Sequence, residues 1–146
     1  MIYDLHVDSI IQQRLFGYDV GKLHPAALRG QPLFWHADIP RMQEAGYSGA
    51  CLGIHFFPWE SERGWMEMRR QIDYLDSTVA ANEGVIRVRD PSDWQKGSAD
   101  GPLALAPGVE GAHMLDGQVG RVESLADRHV AYLTLTHFSK NAAATP

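Results

Sequence analysis

The segment YDLHVDSII near the start of the chain places a histidine and an aspartate, His6 and Asp8, two residues apart in a predicted strand. An imidazole or an ionised carboxylate on a buried strand is costly unless it is paired, hydrogen-bonded or bound to a metal. Because side chains alternate along a strand, both residues face the same side and are able to bind one cation through nitrogen and oxygen. Such a pair also occurs often by chance, so it predicts a metal site only together with polar residues at the ends of other strands.

Two other predicted strands also end in polar residues. Glu110 lies in the sequence GVEG, and His137 ends the sequence YLTLTH. In parallel α/β folds the carboxyl ends of the strands converge on one face, so residues distant in sequence meet there. We expect Glu110 to complete the shell of the cation or to bridge to a second one. Taken alone, Glu110 is equally able to cap a helix or to pair with an arginine, and His137 to be a hydrogen-bonded core residue.

The remaining histidines have simpler explanations. His24, His36 and His129 fall in predicted loops or helix ends, where exposed histidine is common. His55 stands beside two phenylalanines in a predicted strand, and the sequence leaves its role open. His113, just after the GVEG sequence, is expected to be a hydrogen-bonded loop residue, with orientation of the nearby carboxylate as the alternative.

Strand-like and helix-like runs alternate along the chain, which predicts a parallel α/β fold. The predicted strands are Ile2 to Val7, Tyr47 to Phe57, VIRV after Gly84, LALAPGVEGAH and VAYLTLTH. The predicted helices are a short one that stops at Gly17, one within HADIPRMQEAG, a long one from near Ser61, one turn in DPSDWQKG and one over about Gln118 to Arg128. A loop over roughly Gly21 to Trp35 contains proline and glycine.

Capping residues and apolar periodicity define three of these helices. In HADIPRMQEAG, we expect Asp38 at the N-cap, Pro40 in the first turn and Gly46 at the C-terminal cap. Apolar residues of the long helix recur at steps of three and four, so they are expected to face the core. They are Trp65, Met68, Ile72, Leu75 and Val79. Three residues of the last helix are also expected to face inward: Val119, Val122 and Leu125.

The composition, with 146 residues of which 45% are hydrophobic and 21% charged, predicts one globular domain over residues 1–146. A net charge of −5 without a lysine or arginine cluster argues against nucleic acid, whose phosphates require a basic patch. The single cysteine, Cys51, excludes an internal disulfide and is expected to pack in the core. No run approaches the roughly 18 apolar residues of a membrane span. Since no charged and then apolar leader precedes the first strand, we expect a cytoplasmic protein.

Four sequence motifs together resemble a known family. DLHVDS, ADIPRMQEAGYSGA, GVEGAH and YLTLTHFSKN, in this order and at these separations, are similar to the N-terminal half of the membrane (renal) dipeptidase family, the metallopeptidases of M19 type. The resemblance covers nearly the whole chain. It implies a metal-dependent TIM-type (β/α) barrel, of which this chain would form the N-terminal half with about four β/α units. It also implies a binuclear zinc centre that hydrolyses dipeptides.

The resemblance implies a role for each of the polar residues at the strand ends. His6 and Asp8 would be ligands of the first zinc, and Glu110 would be the carboxylate that bridges the two metals. His137 would bind the substrate and stabilise the oxyanion of the tetrahedral intermediate. A hydroxide held between the metals would attack the peptide carbonyl. The segment SKNAAATP after THF differs from the tryptophan-containing stretch of many relatives, so local substrate contacts are expected to differ.

The chain is shorter than the about 250 residues of a closed eight-unit barrel. In the family, the second zinc takes two histidines from later strands, and a later arginine and aspartate act on the substrate. We therefore expect a homo-oligomer or a complementing C-terminal half, because a half barrel exposes sheet edges and an apolar face. Two other functions stay open. One is a non-catalytic half barrel for binding or assembly, and the other is hydrolysis of esters, lactones or cyclic amides.

Overall fold

The computed structural model describes residues 1–24, 37–57 and 59–146. Most of the loop predicted over roughly Gly21 to Trp35, and also His36, lie outside the described residues. Within the described ranges strands and helices alternate, and the fold is α/β with a parallel sheet, as the sequence predicts. No helix in these ranges combines the length and the apolar character that crossing a membrane requires.

The described strands form one parallel sheet. They are β1 (Ile2–Val7), β2 (Tyr47–Ile54), β3 (Val85–Arg87), β4 (Leu103–Val109) and β5 (Tyr132–Leu133). Strand β1 pairs with β2, and β2 pairs with β4. On the other side of β4, β3 pairs with its beginning and β5 with its end. Strand β2 therefore separates β1 from β4, and parallel pairing places the carboxyl ends of the strands at one edge of the sheet.

The helices of the described residues connect these strands. They are α1 (Ser9–Phe16), α2 (Ile39–Glu44), α3 (Ser61–Ala81), α4 (Pro91–Trp94) and α5 (Gly120–Asp127), with a 3-10 turn at His113–Leu115. The long helix α3 buries Met68, Ile72 and Leu75 as its periodicity predicts, while Trp65 and Val79 pack on the core from partly exposed positions. The apolar face of α3 is therefore core.

The two faces of the sheet carry side chains of different size. Leu52 and Ile54 of β2 join the main core under the helices, whereas Cys51 joins a small cluster on the opposite face. Strand β4 is buried throughout and places Ala104 and Ala106 in that same small cluster. Cys51 is thus a packing residue, as predicted. On this second face Ile86, Trp94 and Tyr132 pack against the small side chains of β2 and β4.

The capping residues of α1 and α2 are those that the sequence predicts. Asp38 accepts a hydrogen bond from the backbone N–H of Arg41 at 2.9 Å, and Pro40 lies in the first turn of α2. Gly17 and Gly46 follow α1 and α2 with φ of 69° and 72°. Glycine is the residue best suited to this left-handed conformation at a helix end.

The predicted strands differ from the observed ones in extent or exposure: β3 ends at Arg87 instead of Val88, and β4 ends at Val109, before the glycine-rich end of LALAPGVEGAH. Strand β2 ends at Ile54 instead of Phe57, and β5 contains two residues instead of eight. Beyond Ile54 the backbone bonds to side chains: the carbonyl of His55 accepts from Arg14 at 3.0 Å and from Gln71 at 2.9 Å. Strand β1 has the predicted bounds, but it is the terminal strand of the described sheet and buries Val7 alone.

Helix α5 faces the core with a different side from the predicted one. Leu125 is buried, but Val119 and Val122 are 79% and 44% exposed. Arg121 and Arg128, which lie on the side of Leu125, form ion pairs with acidic residues of α3. Apolar periodicity does not report these ion pairs, which lie on the same side of the helix as the buried Leu125.

Replacement of the inward and outward apolar residues of α5 tests this orientation. We expect Leu125→Ala to lower the free energy of unfolding by about 2 to 5 kcal/mol, because it removes buried methyl groups. The matched variant Val119→Ala is expected to change it by less than about 0.5 kcal/mol. Urea unfolding followed by tryptophan fluorescence measures both, and equal losses would contradict the observed rotation.

Candidate metal centre

The two strands that flank β2 carry the residues of the predicted metal site. His6 is the penultimate residue of β1, and Asp8 follows that strand directly. Glu110 follows β4, where its backbone N–H donates to the carbonyl of Ile54 at 3.0 Å. Because β1, β2 and β4 are parallel, the three side chains project from the same edge of the sheet. The structure thus brings together residues that are about a hundred positions apart in sequence.

The distances in this group suit a zinc ion. His6 Nε2 lies 3.2 Å from Asp8 Oδ1 and 3.8 Å from Glu110 Oε2. One ligand atom from each residue lies within 4.8 Å of the other two. Tetrahedral zinc with bonds of about 2.0 to 2.1 Å places its ligand atoms about 3.3 Å apart, and it accepts imidazole nitrogen and carboxylate oxygen. The three residues therefore fit zinc in both spacing and donor type.

Gly53 of β2 leaves the space that these side chains occupy. A Cβ atom at this position would stand 3.0 Å from Cε1 of His6 and 3.1 Å from Oδ1 of Asp8. Contacts this short require one of the groups to move. The two residues can therefore lean over β2 towards Glu110 because position 53 has no side chain.

Asp8 occupies the N-cap position of α1 but does not cap the helix. Aspartate at this position usually accepts a hydrogen bond from a backbone N–H of the first turn. Here the side chain makes no such bond, and its Oδ1 faces His6. The carboxylate is thus directed towards the candidate metal centre instead of the helix.

Glu110 has neither of the simpler roles that the sequence leaves open. In the described part of the chain its ion-pair partners are His6 and His137, and no arginine is among them. The N-cap positions of the described helices are also filled by other residues. Glu110 is half-buried, whereas His6 and Asp8 are exposed, so it is the least hydrated member of the group.

His137 lies beside Glu110 but outside the three-residue group. It follows β5 by four residues, where its carbonyl accepts a hydrogen bond from the backbone N–H of Ser139 at 2.7 Å. Its Nε2 lies 3.5 Å from Glu110 Oε1. The prediction that it ends a strand is wrong, but its ring still reaches the candidate metal centre.

His55, whose role the sequence leaves open, lies next to His137. Its side chain is 8% exposed, and neither ring nitrogen has a hydrogen-bond partner among the described residues. The ring centroids of His55 and His137 are 4.5 Å apart, with the rings perpendicular. Burial, followed by the nearby His137, lowers the pKa of His55 to about 4. His55 follows the carboxyl end of β2, and this position is the sequence signal that would have predicted it as a neighbour of the candidate metal centre.

The other histidines lie outside the centre. His113 Nε2 contacts the hydroxyl of Ser139 at 2.9 Å, so it is the hydrogen-bonded loop residue that the sequence predicts. His129 is exposed, as predicted. His24 is half-buried, because its ring stacks on Tyr18 with centroids 4.1 Å apart, so the prediction that it is exposed is wrong.

The low pKa of His55 predicts a pH dependence of stability. Between about pH 6.5 and 4 the unfolded chain binds a proton at this histidine and the folded chain does not. The free energy of unfolding should therefore fall as the pH is lowered through this range, by up to about 3 kcal/mol. We expect this part of the pH dependence of the free energy of unfolding to be absent in His55→Gln and present in His129→Gln. Urea unfolding between pH 7 and 4 with a chelator present measures the difference, and equal slopes for both variants would contradict the assignment.

Comparison with known proteins adds a family and a fold to this geometry. A family model described as membrane dipeptidase (peptidase family M19) matches residues 1–146. Among solved structures, dipeptidase AC, a metallopeptidase of family M19, has a TM-score of 0.74 at 19% identity, over 92% of this chain and 42% of that chain. A probable dipeptidase, PvdM from Pseudomonas aeruginosa, has a TM-score of 0.73 at 16% identity, over 98% of this chain and 36% of that one.

A third solved structure has the same fold. It is a metallopeptidase from Rhodobacter sphaeroides liganded with a phosphinate mimic of the dipeptide L-Ala-D-Ala, with a TM-score of 0.73 at 17% identity over 90% of this chain and 44% of that chain. The chain spans less than half the length of these three relatives. Its sheet is the parallel half barrel that matches part of their TIM-type barrel. Because the family model matches the chain from its first residue to its last, this chain belongs to the membrane dipeptidase family, peptidase family M19.

Proposed function

We propose that this chain is the N-terminal half of a zinc-dependent dipeptidase, which hydrolyses the peptide bond of dipeptides. The observation that carries the proposal is the convergence of His6, Asp8 and Glu110 on one point at the carboxyl edge of the sheet. Membership of a metallopeptidase family supports it, as does the dipeptide mimic bound to the relative from Rhodobacter sphaeroides.

In this proposal each of the three residues has its own part in metal binding. His6 and Asp8, whose side chains lie close together, would hold one zinc ion, and Glu110 would complete its shell or be shared with a second metal. Zinc, when bound, lowers the pKa of a coordinated water and polarises the peptide carbonyl. Glu110 suits the shared position because it is the most buried of the three and stands between His6 and His137.

His137 is the residue that we assign to the substrate. Its Nε2 is within 3.5 Å of Glu110, so it stands at the edge of the metal group without joining it. From there an imidazole N–H can donate to the peptide oxygen of a bound dipeptide. Such a donor is most effective when charge develops on that oxygen in the transition state.

The remaining parts of the site are assigned to sequence beyond this half. The relatives are more than twice as long as the matched region, so a complementing C-terminal half, or a second copy of the chain, would complete the barrel and the second metal site. The exposed side chains along β1 support this assignment, since Ile2 and Leu5 are apolar and 46% and 71% exposed. An unpaired strand edge with exposed apolar side chains favours association.

Removal of single ligands tests the metal centre in this chain. Loss of a residue that only hydrogen-bonds to a metal ligand weakens binding by about 10- to 100-fold. We expect Asp8→Asn and Glu110→Gln, which alter the ligands themselves, to weaken zinc binding by more than this. The matched controls Asp100→Asn and Glu123→Gln alter exposed acids elsewhere and should bind zinc as the parent does. Native mass spectrometry and competition with a chromogenic chelator give the stoichiometry and the affinity. Unchanged binding in Asp8→Asn and Glu110→Gln would favour a non-catalytic binding module.

Substrate assays test the reaction in the completed barrel, formed by this chain with its C-terminal half. We expect turnover of L,L- or L,D-dipeptides, and a loss of about 10²- to 10³-fold in kcat for His137→Ala, because alanine has no side-chain donor to the oxyanion. A panel of lactones and cyclic amides is assayed beside the dipeptides. Turnover of those compounds without dipeptide turnover would replace the proposed substrate class with that of a related hydrolase.

A further inference from the structure

The ring of His6 has a different partner on each of its two nitrogens. Nε2 faces Asp8 and Glu110, as described above. Nδ1, on the opposite side of the ring, lies 2.5 Å from the hydroxyl of Tyr132. Tyr132 belongs to β5, and 126 positions separate it from His6 in the sequence. The contact therefore depends on the assembled sheet.

A pair of glycines allows the tyrosine to reach across the sheet. Gly108 of β4 is the register partner of Tyr132 on β5 and of Gly53 on β2. A Cβ atom on Gly108 would stand 2.1 to 2.4 Å from atoms of the phenol ring, which is not physically possible. Because neither Gly108 nor Gly53 has a side chain, no side chain of β4 or β2 stands at these positions between β5 and β1. The phenol ring of Tyr132 occupies the space that a side chain on Gly108 would need.

The chemistry of imidazole makes this contact relevant to the metal. A neutral histidine that binds a metal through Nε2 carries its proton on Nδ1, and that N–H requires an acceptor. The hydroxyl oxygen of tyrosine accepts such a bond, and its own O–H remains free to donate.

We propose that Tyr132 is a positioning residue for the metal centre: its hydroxyl holds His6 with Nδ1 protonated and Nε2 directed at the metal. The inference rests on the proposed metal site and adds the residue that selects which nitrogen binds. Metal-binding histidines commonly donate their second N–H to a carboxylate, a backbone carbonyl or a water. In this chain a phenol takes that role.

The test compares Tyr132→Phe with Tyr3→Phe in the purified chain, with zinc ion as the probe. Tyr3 donates a hydrogen bond of 2.7 Å to the carbonyl of Trp94, so its variant also loses one tyrosine hydrogen bond. We expect Tyr132→Phe to weaken zinc binding by about 10- to 100-fold, and Tyr3→Phe to leave it unchanged. Gly108→Ala, which displaces the phenol ring without altering it, should weaken binding in the same direction.

A second readout separates positioning from a general loss of structure. Imidazole nitrogen shifts from NMR identify the nitrogen of His6 that carries the proton. In the zinc-loaded parent we expect Nδ1 to be protonated, and in Tyr132→Phe we expect a mixture of binding through Nε2 and Nδ1. Urea unfolding of the two phenylalanine variants checks that both are folded.

The outcomes distinguish this inference from the proposed function. If the parent binds zinc and Tyr132→Phe binds it equally well with Nδ1 protonated, the role of Tyr132 is refuted and the metal centre stands. If the parent binds no zinc, the metal centre itself fails and the inference fails with it. Weaker binding in Tyr132→Phe and Tyr3→Phe alike would assign the effect to stability and would also overturn the inference.

Discussion

The close approach of β1 and β4 residues over the glycine at position 53 is the constraint on which the candidate site depends. Neighbouring strands lie about 4.8 Å apart, so β1 and β4, separated by β2, are roughly 10 Å apart. His6 and Glu110 nevertheless approach within 3.8 Å, because both side chains lean over β2. A methyl group on Gly53 would fill that space. The candidate site therefore depends on the absence of a side chain at position 53 as well as on its ligands.

The candidate metal centre combines two carboxylates with histidines, and the charges of these groups bear on what it binds. Two carboxylates held close together repel each other, and the protein as a whole is already negative, at −5. In the described part of the chain the positive partners near Glu110 are imidazoles, which carry charge only when protonated. Among the described residues the group therefore lacks a permanent cation of its own. A divalent ion, as the proposed function requires, would supply that charge.

Much of the fold could be predicted from local sequence, because caps and apolar periodicity act over a few residues. The bounds of β1 and the caps of α2 are examples. The sequence predictions are wrong where contacts between residues distant in sequence determine the local structure. Ion pairs with α3 accompany the different orientation of α5, and side chains that bond to the backbone follow the early end of β2. The same distinction applies to the candidate metal centre. The sequence predicts that His6 and Glu110 lie close together, because both stand at the carboxyl ends of parallel strands. It does not predict the contact of Tyr132 with His6, because that contact depends on the absence of a side chain at Gly108.

The position of the site relative to the open side of the sheet links the fold to the proposed function. Strand β1 is the terminal strand of the described sheet, and it supplies His6 while Asp8 follows it. In a closed barrel, such as the relatives form, a further strand pairs with β1 and covers this edge. The covered ligands would lose water, and the attraction between carboxylate and metal strengthens as the local dielectric constant falls. Completion of the barrel would therefore do more than add the second set of ligands. It would also strengthen the binding of the first metal by the residues already present in this half.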